Sequence, residues 1–300
     1  MSLEKKQLML PPWLAYPESE RYCISWRMGP GEDYLGRFSH WLKGLSQEEK
    51  TEYQAMFPEP VTWKGWWENS HTGEMFVQGE YAVPLWQQGG EPKYSLEKLR
   101  EEAAHGKQHA FRLFWGHRPS GDGSITQSCF SQWWKGEFWF YAQSYCCMEQ
   151  FMMEQKAKLF GDEESRQQIL KSSDPGRIKA LGRKVGNFEQ KLWDRAKYSI
   201  VLNGNWCKFS QNRALKEFLL STGDDILAEA SPYDGVWGIQ LSADSPDAQN
   251  PCRWQGQNLL GFALMEVRDE LRRVTKNESL CRQEKSEKTE KTEKKKKSRK

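Results

Sequence analysis

The sequence predicts an α+β protein, rich in helix over its C-terminal half, and three features carry that expectation. Residues 111 to 273 mix short aromatic runs with longer segments of helical period. Residues 1 to 95 are dense in Trp, Pro and Gly, with turn signals in "RMGPGEDYLGRF", "FPEPVTWKGWW" and "VPLWQQGGEP". The end, "CRQEKSEKTEKTEKKKKSRK", holds too little apolar surface to order itself. Three segments follow: a Trp-rich accessory domain over 1–110, a helix-rich domain over 111–275, and a disordered Lys/Glu-rich tail over 276–300. The join falls in "EEAAHGKQHA", residues 101–110.

In the first segment helices are expected near 45–56 and 95–104, with short strands elsewhere. Trp63, Trp66 and Trp67 suggest a base-stacking platform, but clustered tryptophans more often fill a small core, and core is the reading preferred here. In the second, "FRLFWGH" reads as a buried strand and "GDGSITQSCFSQWW" as a loop entering an extended segment. "EFWFYAQ" reads as a strand leading into a helix over 144–160. "SSDPGRIKALGRKV" carries a cap-like Ser173 or Asp174 with Pro175 in the first turn and is expected to end at Gly186. "EQKLWDRAKYSIVLNGNWCKF" and "ALKEFLLSTG" continue as helices, the latter stopped by Gly223. "DILAEAS" is a short strand and "SPYDGVWG" a tight loop. The last helix, "NLLGFALMEVRDELRR", buries Leu260, Ala263, Leu264, Val267 and Leu271.

Composition excludes several classes. Thirteen per cent aromatic residues, with 15 tryptophans, argue against global disorder. The net charge of +3 lies in the tail: residues 281–300 hold 10 basic and 4 acidic side chains, leaving 34 against 37 elsewhere. The terminal KKKKSRK reads as a nucleic-acid contact, a nuclear address or a solvated tail, so nucleic acid is a second candidate partner. Seven cysteines, an odd number without a C-x-x-C pair, predict neither a disulfide framework nor a metal site. No stretch reaches the ~18 apolar residues of a membrane span, and "MSLEKKQLMLPPW" is no signal peptide. A cytoplasmic protein, or a nuclear one through KKKKSRK, is expected, with no membrane partner.

One stretch breaks its own pattern. In "SYCCMEQFMMEQKAKLF", the ~100° turn per residue gathers Tyr145, Met148, Met152, Leu159 and Phe160 into an apolar stripe. Glu149 and Lys156, seven residues apart, return to within roughly 20° of each other near its middle, yet about 10 Å apart along the axis. That is long for an ion pair. A ligand pocket between them resolves the anomaly; a frayed end, a misplaced face and a buried structural network are the alternatives. Gln150, Glu154 and Lys158 point the other way and are expected to face solvent.

The ordered series "FWGH", "FSQWW", "MEQFMMEQKAKLFGD", "DPGRIKALGRKV", "QKLWDRAK", "LLSTGDDILAEASPYDGVWGIQL" and "WQGQNLLGFALMEVRDEL" resembles the NADAR, or YbiA-like, family over about residues 111–273. What the resemblance implies is a YbiA-like fold and an N-glycosidase that cleaves a ribose C–N bond. The substrate classes it implies are ADP-ribosylated guanine and phosphoribosylamino-pyrimidine intermediates of riboflavin synthesis, without cofactor or metal. The family's catalytic glutamate falls on Glu149, the residue that helix geometry singles out, and Gln150 stands where the family commonly has His. The resemblance also places the family's tryptophan at Trp193, its acidic loop residue at Asp234, and polar pocket positions at Arg183 and Asn258. Trp115 of "FWGH" and Trp237 of "SPYDGVWG" join the expected substrate-binding set.

In that chemistry a carboxylate near the ribose C1 stabilises the oxocarbenium-like transition state or activates water, the role expected of Glu149. Lys156 supports the leaving group or a phosphate, Trp193 stacks on the base, Asp234 holds ribose hydroxyls, and Arg183 meets phosphate. Read without the resemblance, Trp193 is a core residue, Asp234 a turn former, Arg183 a surface cation and Asn258 a helix cap. His117 follows the FWG stretch, but no partner spacing supports a catalytic role for it. The rival from another class is a module that binds ADP-ribose or a related nucleotide without cleaving it.

Overall fold

The computed structural model describes residues 7–70 and 73–281. Residues 276–281, expected in the disordered tail, are ordered instead: Asn277 donates to the Met56 carbonyl at 2.9 Å and Glu278–Cys281 form a short 3-10 helix. The basic run 282–300, with the rest of that expectation, lies outside the described residues. Among them, helices dominate and six short strands pair into three two-stranded sheets, an α+β architecture. They divide into two units: those of 1–71 and 271–300, and those of 72–270.

The first unit carries α1 (Pro12–Ala15), α2 (Pro30–Lys43) and α3 (Gln47–Met56). Ser46 starts α3 with a capping box: its Oγ accepts from the Glu49 N–H at 3.2 Å, and Glu49 Oε2 accepts from the Ser46 N–H at 2.9 Å. "RMGPGEDYLGRF", expected to form turns, opens α2 instead. Pro30 occupies the first turn, where its missing N–H costs no helical bond. Phe38, Leu45, Tyr53 and Phe57 form the core. The ring of Trp13 lies 5.5 Å from that of Trp63 and 5.3 Å from that of Trp67, the latter edge-on, and Trp63 is buried. These tryptophans fill a core, as the composition suggested.

The second unit opens with a hairpin of β1 (Met75–Gln78) and β2 (Tyr81–Pro84), then α4 (Leu96–Ala104). Residues 72–110, expected in the N-terminal accessory domain, pack in this unit instead. Long-range hydrogen bonds are the reason. Tyr81 Oη donates to Gln155, the Lys93 N–H donates to Glu266, and Arg100 reaches the carbonyls of Pro251 and Trp254. Next come β3 (Phe111–Phe114), β4 (Phe138–Phe140), β5 (Gln143–Tyr145), α5 (Met148–Leu159), α6 (Glu163–Leu170), α7 (Pro175–Gly182), α8 (Gln190–Gln211), α9 (Arg213–Leu220), β6 (Ile226–Glu229) and α10 (Leu259–Thr275), of which residues 259–270 belong to this unit. "EFWFYAQ" is therefore no single strand. Tyr141 and Ala142, at φ 44° and 62°, fold it into the β4–β5 hairpin. β3 and β6 pair in parallel, Phe111 opposite Ile226 and Phe114 opposite Glu229, which sets Glu229 at the strand's C-terminal end. Asp174 caps α7, but the helix stops at Gly182 rather than Gly186. The expected stripe of α10 is buried throughout.

α5 runs through the middle of this unit, against α6, α7 and α8. The expectation that Gln150 and Glu154 face water is overturned: both are buried, while Lys158 is exposed. Each burial is matched by partners. Gln150 Nε2 donates to the carbonyls of Ile169, Leu170 and Ser172, and its Oε1 accepts from the Cys146 N–H. Glu154 pairs with Arg166 at 2.5 Å and accepts from the Tyr145 hydroxyl at 3.1 Å. A buried carboxylate so satisfied is structural.

α8 approaches α5 closely at Gly204, where a β-carbon would lie 2.5 Å from the Phe151 ring and 2.7 Å from the Met148 methyl. Gly204→Ala is expected to overpack this contact and cost about 1–3 kcal/mol. Thermal unfolding checks it; an unchanged midpoint would contradict the packing described.

Candidate active site

Cys147 is the N-cap of α5, so Glu149 enters in the first helical turn, where the helix dipole favours a carboxylate. Its N–H donates to the Gln132 carbonyl at 2.8 Å, tying the helix start to the loop before β4. The side chain is 3% exposed. Oε2 accepts from Trp133 Nε1 at 3.2 Å, and the buried Oε1 has no partner. Burial pushes the carboxyl up to about 7, against the pull of the Lys179 charge and the Trp133 bond. The negative charge of Asp234 adds to the rise.

Lys156 stands two turns further along the same face. Its Nζ donates to the Gly182 carbonyl at 2.9 Å and lies 4.2 Å from the centre of the Phe188 ring and 5.6 Å from that of Trp193. Partial burial lowers its pKa. Glu149 and Lys156 both line one cavity of about 340 Å³, closed on other sides by Trp133, Lys179, Arg183, Phe188, Trp193, Lys197, Glu229, Asp234 and Trp237. The hollow that the seven-residue spacing called for is there.

The sequence-predicted set thus divides. Glu149, Lys156, Asp234, Trp193, Arg183 and Trp237 meet in the cavity. Asp234 serves the turn as well, since its Oδ1 accepts from the N–H groups of Val236 and Trp237 at 3.0 and 2.8 Å. Trp115, 57% exposed just past the end of β3, is not among the lining residues. Neither is Asn258, which is fully buried. Its Oδ1 accepts from the Glu229 N–H at 3.0 Å and its Nδ2 donates to the Leu227 carbonyl at 2.9 Å, clamping the start of α10 to β6.

Sequence reasoning missed Trp133, Lys179, Phe188 and Glu229. "FSQWW" held a signal for the first, two adjacent aromatics just ahead of the anomalous helix. The loop that carries Trp133 is fixed from beneath by Lys208, a wholly buried amine that donates to the carbonyls of Cys129 and Ser131 at 2.6 and 3.1 Å. Burial drives this amine down to about 8. A larger cavity, about 800 Å³ between β1 and α8, holds neither Glu149 nor Lys156. The smaller one carries the titratable cluster.

Among the described residues no group of His, Cys, Asp and Glu is arranged to hold a metal ion, and no helix is long and apolar enough to cross a membrane. The chain is similar to the N-glycosidase R617 of Acanthamoeba polyphaga mimivirus, 44% identical over 47% of this chain and 86% of that protein. It is 38% identical to Protein irg-1 of Caenorhabditis elegans over 42% of this chain and 61% of that protein. It is 31% identical to the N-glycosidase YbiA of Shigella boydii over 39% of this chain and 66% of that protein. It therefore spans less than two thirds of the latter two. The model of the NADAR domain matches residues 113–272, a stretch that contains every residue lining the Glu149 cavity, and the chain belongs to the NADAR domain family.

Proposed function

We propose that this protein is an N-glycosidase that hydrolyses the bond between C1 of a ribose and the nitrogen of a base. The observation that carries the reading is Glu149, a buried carboxylate with one unpartnered oxygen on the wall of a cavity that also presents three lysine amines, three tryptophans and a guanidinium. The names of the N-glycosidase relatives support it.

Breaking a C1–N bond leaves positive charge on the sugar. Glu149, half-ionised near neutral pH, stabilises that charge or takes a proton from the attacking water. Lys156 sits over aromatic faces with its pKa lowered, suited to the departing base or to a phosphate beside it. Trp193 and Trp133 offer ring faces for the base. Asp234, with Oδ1 committed to its turn, has Oδ2 left for a ribose hydroxyl. Lys179, Arg183 and Lys197 give the cavity a cationic side, which favours a phosphorylated riboside. ADP-ribosylated guanine and a phosphoribosylamino-pyrimidine both meet these demands.

Incubating the full chain with both substrate types and following free base by chromatography tests the reading. Release of base from at least one is expected. Binding of either ligand without release would favour a nucleotide-binding module instead.

A further inference from the structure

The cavity is lined by a second carboxyl with no established role, on a half-buried residue. Glu229 ends β6, and its backbone is fixed on both sides: the N–H donates to Asn258 Oδ1, and the carbonyl accepts from the N–H groups of Ser231 and Ile239 at 2.8 and 2.9 Å. The residue lines the cavity that Glu149 also lines. Its Oε2 is buried without any hydrogen-bond partner. The two glutamates differ in what surrounds them. Glu149 Oε2 is met by the Trp133 N–H, a donor that favours a carboxylate. The buried oxygen of Glu229 meets no donor, an arrangement that favours the neutral acid.

We propose that Glu229 is a catalytic proton donor, held neutral so that it protonates the leaving nitrogen while Glu149 works as the carboxylate. This rests on the N-glycosidase reading. The C1–N bond breaks with its electron pair going to nitrogen, which takes the proton of the Glu229 carboxyl. Water adds its oxygen to C1 and gives a proton to Glu149. The products are the free base and a ribose hydroxyl. One proton has moved from Glu229 to Glu149, and its return between the two carboxyls resets the site.

The charged groups around Glu229 come from every side of the cavity: Glu149 and Lys156 on α5, Lys179 on α7, Arg183 at its end, Lys197 on α8, and Asp234 in the loop after β6. Burial raises the Glu229 pKa to about 8, with the negative charge of Asp234 the next contribution. Two carboxyls whose surroundings separate their protonation states are the usual basis of an acid and base assignment.

The test uses the full chain, Glu229→Gln and Glu149→Gln, on two substrates: an N-riboside whose base must be protonated to leave, and an N-ribosyl pyridinium, whose base leaves neutral. With the first, Glu229→Gln is expected to lose about 100-fold in kcat and the alkaline limb of its pH profile, a loss in the usual range for a general acid. With the pyridinium, it is expected to stay within about threefold of the parent, whereas Glu149→Gln loses both. Carboxyl carbon NMR of glutamate-labelled protein, assigned with the two variants, is expected to show Glu229 protonated at pH 7. An active parent whose Glu229→Gln variant keeps the alkaline limb, or loses both substrates equally, would overturn the donor role alone. So would an ionised Glu229 carboxyl at pH 7. A parent that releases no base from any N-riboside overturns the glycosidase reading, and the donor role with it.

Discussion

Glu149→Gln is expected to lower turnover of an N-riboside by about a thousandfold or more while making the folded protein more stable at pH 8. The first effect follows from removing both the charge that faces the developing oxocarbenium ion and the only proton acceptor proposed for water. The second follows from proton linkage. The folded Glu149 carboxyl titrates near 7, against an ordinary value of 4.5, because burial disfavours its charged form. Between those two pH values the folded protein holds a proton that the unfolded chain has released. Stability therefore falls as pH rises through the window and levels off above it. The full loss is about 3 kcal/mol. Glutamine keeps the shape without the charge, so the variant escapes the loss. Its unfolding temperature should exceed the parent's by several degrees at pH 8, and the gap should close toward pH 4.5. A gap independent of pH would mean that the Glu149 carboxyl is ionised throughout, and the buried acid described above would not exist. Substantial turnover in the variant would remove Glu149 from the mechanism.

Such a trade between stability and activity suits a residue that a core would otherwise replace with leucine. It is also why the site was legible in the sequence at all. A carboxylate and an amine seven residues apart in an apolar stripe violate the pattern that a buried helix obeys, and the violation marks the cavity. The same stretch misled on Gln150 and Glu154. Their periodicity indicated solvent, but Arg166 of α6 and the carbonyls of 169–172 come back to satisfy them. Helical period reports which residues share a face and says nothing of what later elements bring to it. Glu229 shows the limit from the other direction. In "DILAEAS" it looks like the polar end of a short strand, and only the parallel pairing of β6 with β3 delivers it to the cavity. α2 was hidden for a local reason. Gly29, Pro30 and Gly36 spell turns, yet Gly29 precedes the helix at φ 73° and Pro30 begins it.

Asn258→Ala separates two roles for a residue that the family resemblance placed in the substrate pocket. Asn258 is wholly buried at φ 55°, a backbone conformation that Asn tolerates and Ala resists. Its side chain satisfies the Glu229 N–H and the Leu227 carbonyl on β6. Three residues on, α10 comes so near the strand that a β-carbon on Gly261 would lie 2.0 Å from the Leu227 carbonyl oxygen. Truncation leaves two buried backbone groups unpaired, at about 1–3 kcal/mol each, and adds backbone strain. A destabilisation of about 3–5 kcal/mol is expected, read by denaturant unfolding. Catalytically, the loss should fall on kcat through a displaced Glu229, with KM little changed. If Asn258 instead held the substrate, KM would rise while the unfolding midpoint stayed put. That outcome would return Asn258 to the binding site and leave the β6–α10 junction held by packing alone. Asn258→Asp sharpens the contrast, since it keeps the acceptor for Glu229 but loses the donor for Leu227 and buries a carboxyl. Its stability deficit relative to the parent should be larger at pH 8 than at pH 5, a difference that a solvent-facing binding residue would not produce.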